Sequence, residues 1–203
     1  MISANSLLML YLGIELLSLS LYALIGFNKK SSLSSEAAIK YYVLGAMSSG
    51  ILLFGISLIY GFTGSIGYDD IASQLINIDI NSVDYIAIIF GIIFITASLC
   101  FKFGAAPFHM WVPDIYQGSL ISTTILLSTL PKIAVFIVFL KLYFIPFILL
   151  REVWSDILIF VGMLSIVIGS LFALTQENIK RLLAYSAISN IGCLLYTSDA
   201  ADE

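Results

Sequence analysis

Long apolar runs alternate with short polar segments along this chain, and the alternation predicts its elements. The apolar runs are rich in Leu, Ile and Phe, and they reach the length of about 20 residues that an α-helix needs to cross the hydrocarbon core of a bilayer. Polar segments interrupt them at 28–36, 61–83, 146–152 and 176–178. We therefore predict six membrane-spanning helices, at about residues 6–27, 37–60, 84–102, 120–144, 153–174 and 180–196.

The third of these helices is predicted to break close to its end. Gly104 and Pro107 follow Lys102, and Pro113 comes shortly after them. Neither glycine nor proline supports a regular helix interior. A further proline, Pro131, stands inside the fourth predicted helix. In transporters, broken helices beside ionisable residues often form the sites for ions and protons. The segment that contains these prolines is therefore the first place to look for a functional site.

Composition strengthens the membrane assignment. Of the 203 residues, 60% are hydrophobic and only 11% are charged, against about 25% charged residues in an average soluble domain. This excludes a soluble globular domain. We expect an all-α polytopic membrane protein, with the lipid bilayer as its surroundings and no nucleic acid as a partner.

Basic residues near the helix ends predict the orientation of the chain. Lysines occupy 29–30, after the first helix, and a Lys-Arg pair occupies 180–181, at the start of the sixth. The connection 61–83 is acidic and contains no Lys or Arg. Because basic residues are enriched on the cytoplasmic or matrix side of a membrane, both basic pairs are expected there. The alternation of spans places the segment 111–114 on the same side.

Three ionisable residues stand inside predicted helices: Glu15, Lys102 and Lys132. A lysine at the bilayer midplane costs about 2.5–3.5 kcal/mol, so both lysines are candidate functional residues. Glu15 lies about 14 Å into the first helix, close to mid-membrane. Because a buried charge needs an opposite charge, we expect Glu15 and Lys102 to pair on neighbouring helices. Such a pair could relay protons, or it could be a static ion pair that fixes helix register. The sequence leaves both interpretations open.

Two further residues are candidates for supporting roles. His109 follows Pro107 at the predicted break and could pass protons near neutral pH, although a lone histidine is more often a hydrogen-bonded structural residue. No second histidine and no cysteine stands near it in the sequence, so no metal site is predicted. Lys40 comes four residues after Glu36, which is the spacing of a surface ion pair on a helix. Asp114 is interpreted as a helix cap or a local ion-pair partner.

Several strings resemble a known family of membrane subunits. Residues 107–118 read Pro-Phe-His-Met-Trp-Val-Pro-Asp-Ile-Tyr-Gln-Gly, and Pro-Lys-Ile follows at 131–133. With the segments 12–16 and 173–186, these strings resemble the N subunits of bacterial respiratory complex I and their mitochondrial counterparts, subunit 2. The sister subunits of complex I and the multisubunit sodium/proton antiporters look similar but differ after the Pro-Asp dipeptide.

The resemblance implies a role for each buried charge. In that family the Glu–Lys pair, here Glu15 and Lys102, modulates a central lysine, here Lys132, that takes up and releases the pumped proton. Lys40 matches a lysine with a supporting role. The resemblance also implies that this chain holds no cofactor, because NAD, FMN, the iron–sulfur clusters and quinone belong to partner subunits. Its partners would be the other membrane subunits of complex I, in a bacterial or mitochondrial inner membrane.

The resemblance covers the chain to about residue 195 and implies a larger fold. Members of the family have about fourteen helices in two inverted repeats, so we expect a fragment that begins at the fifth helix and ends in the tenth. Residues 1–195 would form a proton-translocating transmembrane fragment, and 196–203 are interpreted as a non-native tail. Asn190 stands where many relatives carry histidine. Two alternatives remain, a subunit of a cation/proton antiporter and a structural membrane subunit with static ion pairs.

Overall fold

A computed structural model describes residues 1–28, 31–76, 78–79 and 82–200, with the backbone alone for 198–200. Within these ranges the regular structure is helical and contains no β-strand. The elements are α1 (Leu7–Ile25), α2 (Ser32–Thr63), α3 (Tyr68–Leu75), α4 (Val83–Phe103), α5 (Trp111–Gly118), α6 (Ile121–Phe144), a short 3-10 turn (Ile148–Leu150), α7 (Arg151–Leu174) and α8 (Ile179–Ala200).

Five of the six predicted spans are long and apolar enough to cross a membrane. Among the described residues these are α1, α2, α4, α6 and the segment Ile148–Leu174. The sixth span forms as α8, but the two basic residues in its first turn and its internal polar residues make it less apolar than the others. It also continues to Ala200, beyond the predicted end near residue 196.

Serine side chains begin three of the long helices. The hydroxyl oxygens of Ser6, Ser31 and Ser82 each accept a hydrogen bond from the backbone N–H three residues later, at the starts of α1, α2 and α4. The first N–H groups of a helix have no partner within the helix, so such caps stabilise its start.

The predicted break in the third span is confirmed. α4 ends at Phe103 because Gly104 adopts a left-handed conformation, with φ of +76°, which glycine reaches without the steric penalty of a side chain. The chain then turns through 104–110 before α5 begins. Pro113 does not contribute to the break, contrary to the prediction. It lies in the first turn of α5, where proline is tolerated because the N–H it lacks would have no helical partner.

The break lies inside the membrane rather than at its surface. The side chain of Lys102, in the last turn of α4, reaches Ser49 of α2. Ser49 stands 17 residues after Ser32 and 14 residues before Thr63, or about 26 and 21 Å from the two ends of α2. α4 therefore stops near the bilayer midplane, and α5 completes the crossing.

The two ends of the bundle carry different sets of charged residues. At one end α3, with two acidic residues in its first turn, lies beside the start of α1, and the Tyr68 N–H donates to the carbonyl of Asn5. At the other end Asp114 of α5 meets Lys40 of α2 and Arg181 of α8. The predicted lysines at 29–30 lie outside the described residues.

The polar connection 61–83 is more ordered than predicted, because it contains the helix α3. One face of this helix buries Tyr68, Ile71 and Leu75 in the main core. Their spacing of three and four residues is the period of a helix face. The sequence therefore contains the apolar pattern of a helix here, but only over about two turns.

Candidate functional site

Lys102 lies where α1, α2 and α4 meet. Its side chain is 8% exposed, and its Nζ donates hydrogen bonds to Ser18 Oγ at 2.9 Å and to Ser49 Oγ at 3.5 Å. The helix break brings the ammonium to this point, because α4 ends one residue later. The prediction that this lysine is buried is confirmed.

Glu15 does not pair directly with Lys102, contrary to the expectation. The hydroxyl of Ser49 donates to Glu15 Oε1 and accepts from Lys102 Nζ. No ion pair within 4 Å joins Glu15 and Lys102 in the described part of the chain. A serine from a third helix is thus interposed between the two charges.

Ser49 has a second acceptor within reach. Its Oγ lies 3.0 Å from the backbone carbonyl oxygen of Gly45, one turn earlier in α2. A hydroxyl has one proton and two acceptor lone pairs. Ser49 can therefore donate fully either to Glu15 or to Gly45, but not to both.

Lys132 stands at the middle of α6, 11 residues after Ile121 and 12 before Phe144. Its Nζ is buried and, within the described residues, has no hydrogen-bond partner. The ring of Tyr116 on α5 lies close to it, with the ring centroid 5.9 Å from Nζ. A cation can be attracted to a ring at this distance, although weakly compared with an ion pair.

A cavity of about 360 Å³ adjoins Lys132. Thr129 and Asn190 contribute polar side chains to its wall, and the rest of the lining is mostly apolar. The cavity has room for several water molecules. The side chain of Lys132 thus forms part of the wall of a space that water can occupy, while its Nζ is buried.

A much smaller void adjoins Lys102. It measures about 10 Å³, and its lining includes Ser18, Lys102 and Pro131, the residue before Lys132. This is about the minimum volume that can hold one water. Pro131 has no N–H, so it leaves the carbonyl of Leu127 without its usual helical donor.

His109 lies in the turn between α4 and α5, 9% exposed, and Tyr185 of α8 packs near it with ring centroids 6.5 Å apart. Its Nδ1 is buried and has no hydrogen-bond partner in the described ranges. Within the described residues, no hydrogen bond or ion pair joins His109 to Glu15, Lys102 or Lys132.

Lys40 belongs to a separate, partly exposed cluster. Its Nζ lies 2.8 Å from Glu36 Oε1, which confirms the predicted surface pair, and 3.1 Å from Asp114 Oδ2. Asp114 Oδ1 in turn lies 3.2 Å from Arg181 Nη1, which also donates to Gln117. The interpretation of Asp114 as a local cap or partner is wrong, because the break carries α5 between α2 and α8 and gives Asp114 partners from both.

The sequence interpretation missed the serines of the site. Ser18 lies three residues after Glu15 on the same side of α1, a spacing that could have marked it. No sequence pattern marked Ser49, because serine is common in these helices. Ser49 reaches the site only because α2 packs against α1 and α4. Tyr116 of α5 is likewise buried beside Lys132.

Comparison with known proteins agrees with the resemblance. The family described as NADH:quinone oxidoreductase/Mrp antiporter, transmembrane, has a profile that matches residues 4–201. The chain is 49% identical over 195 residues to a protein of Ruthia magnifica subsp. Calyptogena magnifica named NADH-quinone oxidoreductase subunit N. That match covers 96% of this chain and 40% of the relative, so the chain spans about two fifths of the relative's length.

Two solved structures share the fold. A chain in the respiratory complex I of Thermus thermophilus with bound aureothin is 33% identical, with a TM-score of 0.79 over 96% of this chain and 40% of that one. A chain in the Mrp complex of Dietzia sp. DQ12-45-1b has a TM-score of 0.84 at 22% identity, over 96% of this chain and 36% of that one. At that identity the second likeness concerns the fold alone. By its profile match and its relatives, this chain belongs to the NADH:quinone oxidoreductase/Mrp antiporter transmembrane family.

Proposed function

We propose that this chain is part of a multi-pass membrane subunit of an NADH:quinone oxidoreductase, and that it moves protons through Glu15, Lys102 and Lys132. The observation that carries the proposal is the position of Lys132, at the middle of a spanning helix, buried and without a hydrogen-bond partner among the described residues. A permanently charged ammonium without an acceptor is costly at that depth. This position is compatible with a side chain that takes up and releases a proton. Water in the adjoining cavity could exchange that proton.

The arrangement suggests an order of events within this chain. A proton taken up at Lys102 is held by Ser18 and Ser49, while Glu15 stabilises the positive charge through Ser49. When Glu15 is neutralised or turns away, that stabilisation weakens, and the proton can pass toward Lys132 through water in the void beside Pro131. Electron transfer, with NAD, FMN, iron–sulfur clusters and quinone, is assigned to partner subunits by the resemblance to complex I.

The structural alternative is disfavoured by a comparison within the chain itself. In the cluster around Asp114 every charge has an opposite charge within 3.2 Å, as a static ion-pair network requires. Lys132 has no such partner in the same set of described residues. An unpaired ammonium suits a proton site better than it suits a contact that fixes helix register.

The proposal is tested by Lys132→Ala in the full-length subunit, assembled in its complex in native membranes. We expect NADH-driven proton pumping to fall at least tenfold with assembly intact, since alanine removes the central proton acceptor and each 1.4 kcal/mol changes a rate tenfold. The matched control is Lys141→Ala on the same helix. The Nζ of Lys141 donates to Ala4 O and Asn5 Oδ1 at the acidic end of the bundle, so pumping should persist.

Three results would overturn the proposal. Normal pumping by an assembled Lys132→Ala complex would exclude the relay. Loss of assembly in Lys132→Ala, with Lys141→Ala unaffected, would favour the structural subunit. Sodium-dependent transport in wild-type membranes without any NADH dependence would favour the cation/proton antiporter.

A further inference from the structure

We infer that Ser49 is a positioning residue that transmits the protonation state of Glu15 to Lys102, by reversing the direction of its hydrogen bonds. The inference rests on the proposed function and deepens it. Ser49 is 5% exposed, and it alone among the described side chains contacts both charged groups. Its hydroxyl is therefore the shortest connection between them.

When Glu15 is ionised, its carboxylate can only accept hydrogen bonds. Ser49 then donates its proton to Glu15 Oε1, which leaves the lone pairs of Oγ facing Lys102 Nζ at 3.5 Å. The negative charge of Glu15 polarises the hydroxyl and makes its oxygen a better acceptor for the ammonium. In this arrangement Ser49 stabilises a positive Lys102.

When Glu15 takes up a proton, its hydroxyl becomes a donor. Ser49 Oγ can accept from it and turn its own proton to the carbonyl oxygen of Gly45, which is already 3.0 Å away. No covalent bond other than the O–H formed on Glu15 changes. The carboxylate that polarised Ser49 is now neutral, and Ser49 Oγ accepts from Glu15 as well as from Lys102. Lys102 therefore loses part of its stabilisation and is released to pass its proton on.

Ser18 provides the contrast within the same site. Its Oγ accepts from Lys102 Nζ at 2.9 Å, closer than Ser49, but it donates to the carbonyl of Ile14 at 2.8 Å. Ser18 lacks a contact with Glu15 in the described structure, so its proton has no second acceptor there. Ser18 can hold Lys102 but cannot respond to Glu15.

The test uses the full-length subunit in its assembled complex. We expect Ser49→Ala to lower NADH-driven proton pumping about tenfold, the equivalent of one hydrogen bond to a charged group. Ser49→Thr keeps the hydroxyl and should restore most of the pumping. Ser49→Val has the shape of threonine without the hydroxyl and should behave like Ser49→Ala, which separates the loss of the hydroxyl from a change in packing.

A double-substitution cycle measures the coupling itself. Glu15→Gln should lower pumping in the wild type and in Ser18→Ala, but it should have little further effect in Ser49→Ala, because the connection from Glu15 is already removed. Glu15→Gln should also change how the pumping rate depends on pH in the wild type and in Ser18→Ala. In Ser49→Ala the same substitution should leave that pH dependence unchanged.

Two outcomes would overturn this inference. One is pumping by Ser49→Val equal to that by Ser49→Thr. The other is an undiminished effect of Glu15→Gln in Ser49→Ala. Either result, obtained with Lys132→Ala inactive, would reject the role of Ser49 and leave the proton relay standing. Normal pumping by Lys132→Ala would instead reject the proposed function itself.

Discussion

At the scale of single residues, a polar side chain in this bundle gains its role from the partner that folding gives it. Glu15, Lys102 and Lys132 were identified from the sequence because charges are rare in apolar helices. Their connections were not, since the serine between the first two comes from a third helix. The periodicity of one helix gives no information about which side chain of another helix will face it.

His109 offers a test of the supporting role suggested by the sequence. Its side chain is 9% exposed, and its Nδ1 has no hydrogen-bond partner in the described ranges. NADH-driven proton pumping by His109→Gln in the assembled complex measures that role, and pumping equal to that of the wild type would exclude it.

At the scale of elements, the apolar runs predicted the long helices, and glycine and proline predicted the break after α4. Hydrophobicity and the backbone preferences of glycine and proline act over neighbouring residues, so their effects can be predicted from the sequence. α3 was missed because eight residues give too short a pattern. The interpretation of 196–203 as a non-native tail stays a prediction.

Gly104 is the residue on which the break depends. We expect Gly104→Ala to destabilise the subunit by about 2–3 kcal/mol, since a left-handed non-glycine residue costs about 1–2 kcal/mol and the added Cβ would overlap Val112. The measurement is the Tm of the complex, together with the amount of subunit assembled. The variant should also lower pumping, because the end of α4 sets the position of Lys102.

Two other glycines separate these effects. Gly64 has a φ of +69° with open space around its Cβ position, so Gly64→Ala tests the backbone strain alone. Gly50 lies in α2 with open space and an ordinary conformation, so Gly50→Ala should be neutral or slightly stabilising. If Gly104→Ala proved no worse than Gly50→Ala, the assigned role of Gly104 would be wrong.

At the scale of the whole molecule, Asp114 joins helices that are far apart in the sequence. Lys40 lies 74 positions before it and Arg181 lies 67 positions after it. Neither separation in sequence could be inferred from a local pattern, although the predicted orientation placed Asp114 and Arg181 at the same end of the bundle. The side-chain contacts of α5 with α2 and α8 follow from the break.

Asp114→Asn should weaken this end of the bundle. Both ion pairs are partly exposed, so each contributes about 0.2–1 kcal/mol, and the combined loss should be about 1 kcal/mol. The control is Glu36→Gln, which removes only the pair within α2. The measurement is the Tm of each variant at low and at high salt. A loss for Asp114→Asn no larger than that for Glu36→Gln would indicate that Asp114 does not join the helices energetically.

The ending of α4 inside the membrane has an electrostatic consequence for Lys102. The aligned peptide dipoles of a helix place about half a negative elementary charge at its C-terminus, and here that terminus lies at the bilayer midplane, one residue beyond Lys102. The backbone thereby offers the ammonium a partial counter-charge that does not titrate. The helix terminus attracts the Lys102 ammonium less strongly than a full carboxylate would. Lys102 can therefore lose its proton without any movement of the helix.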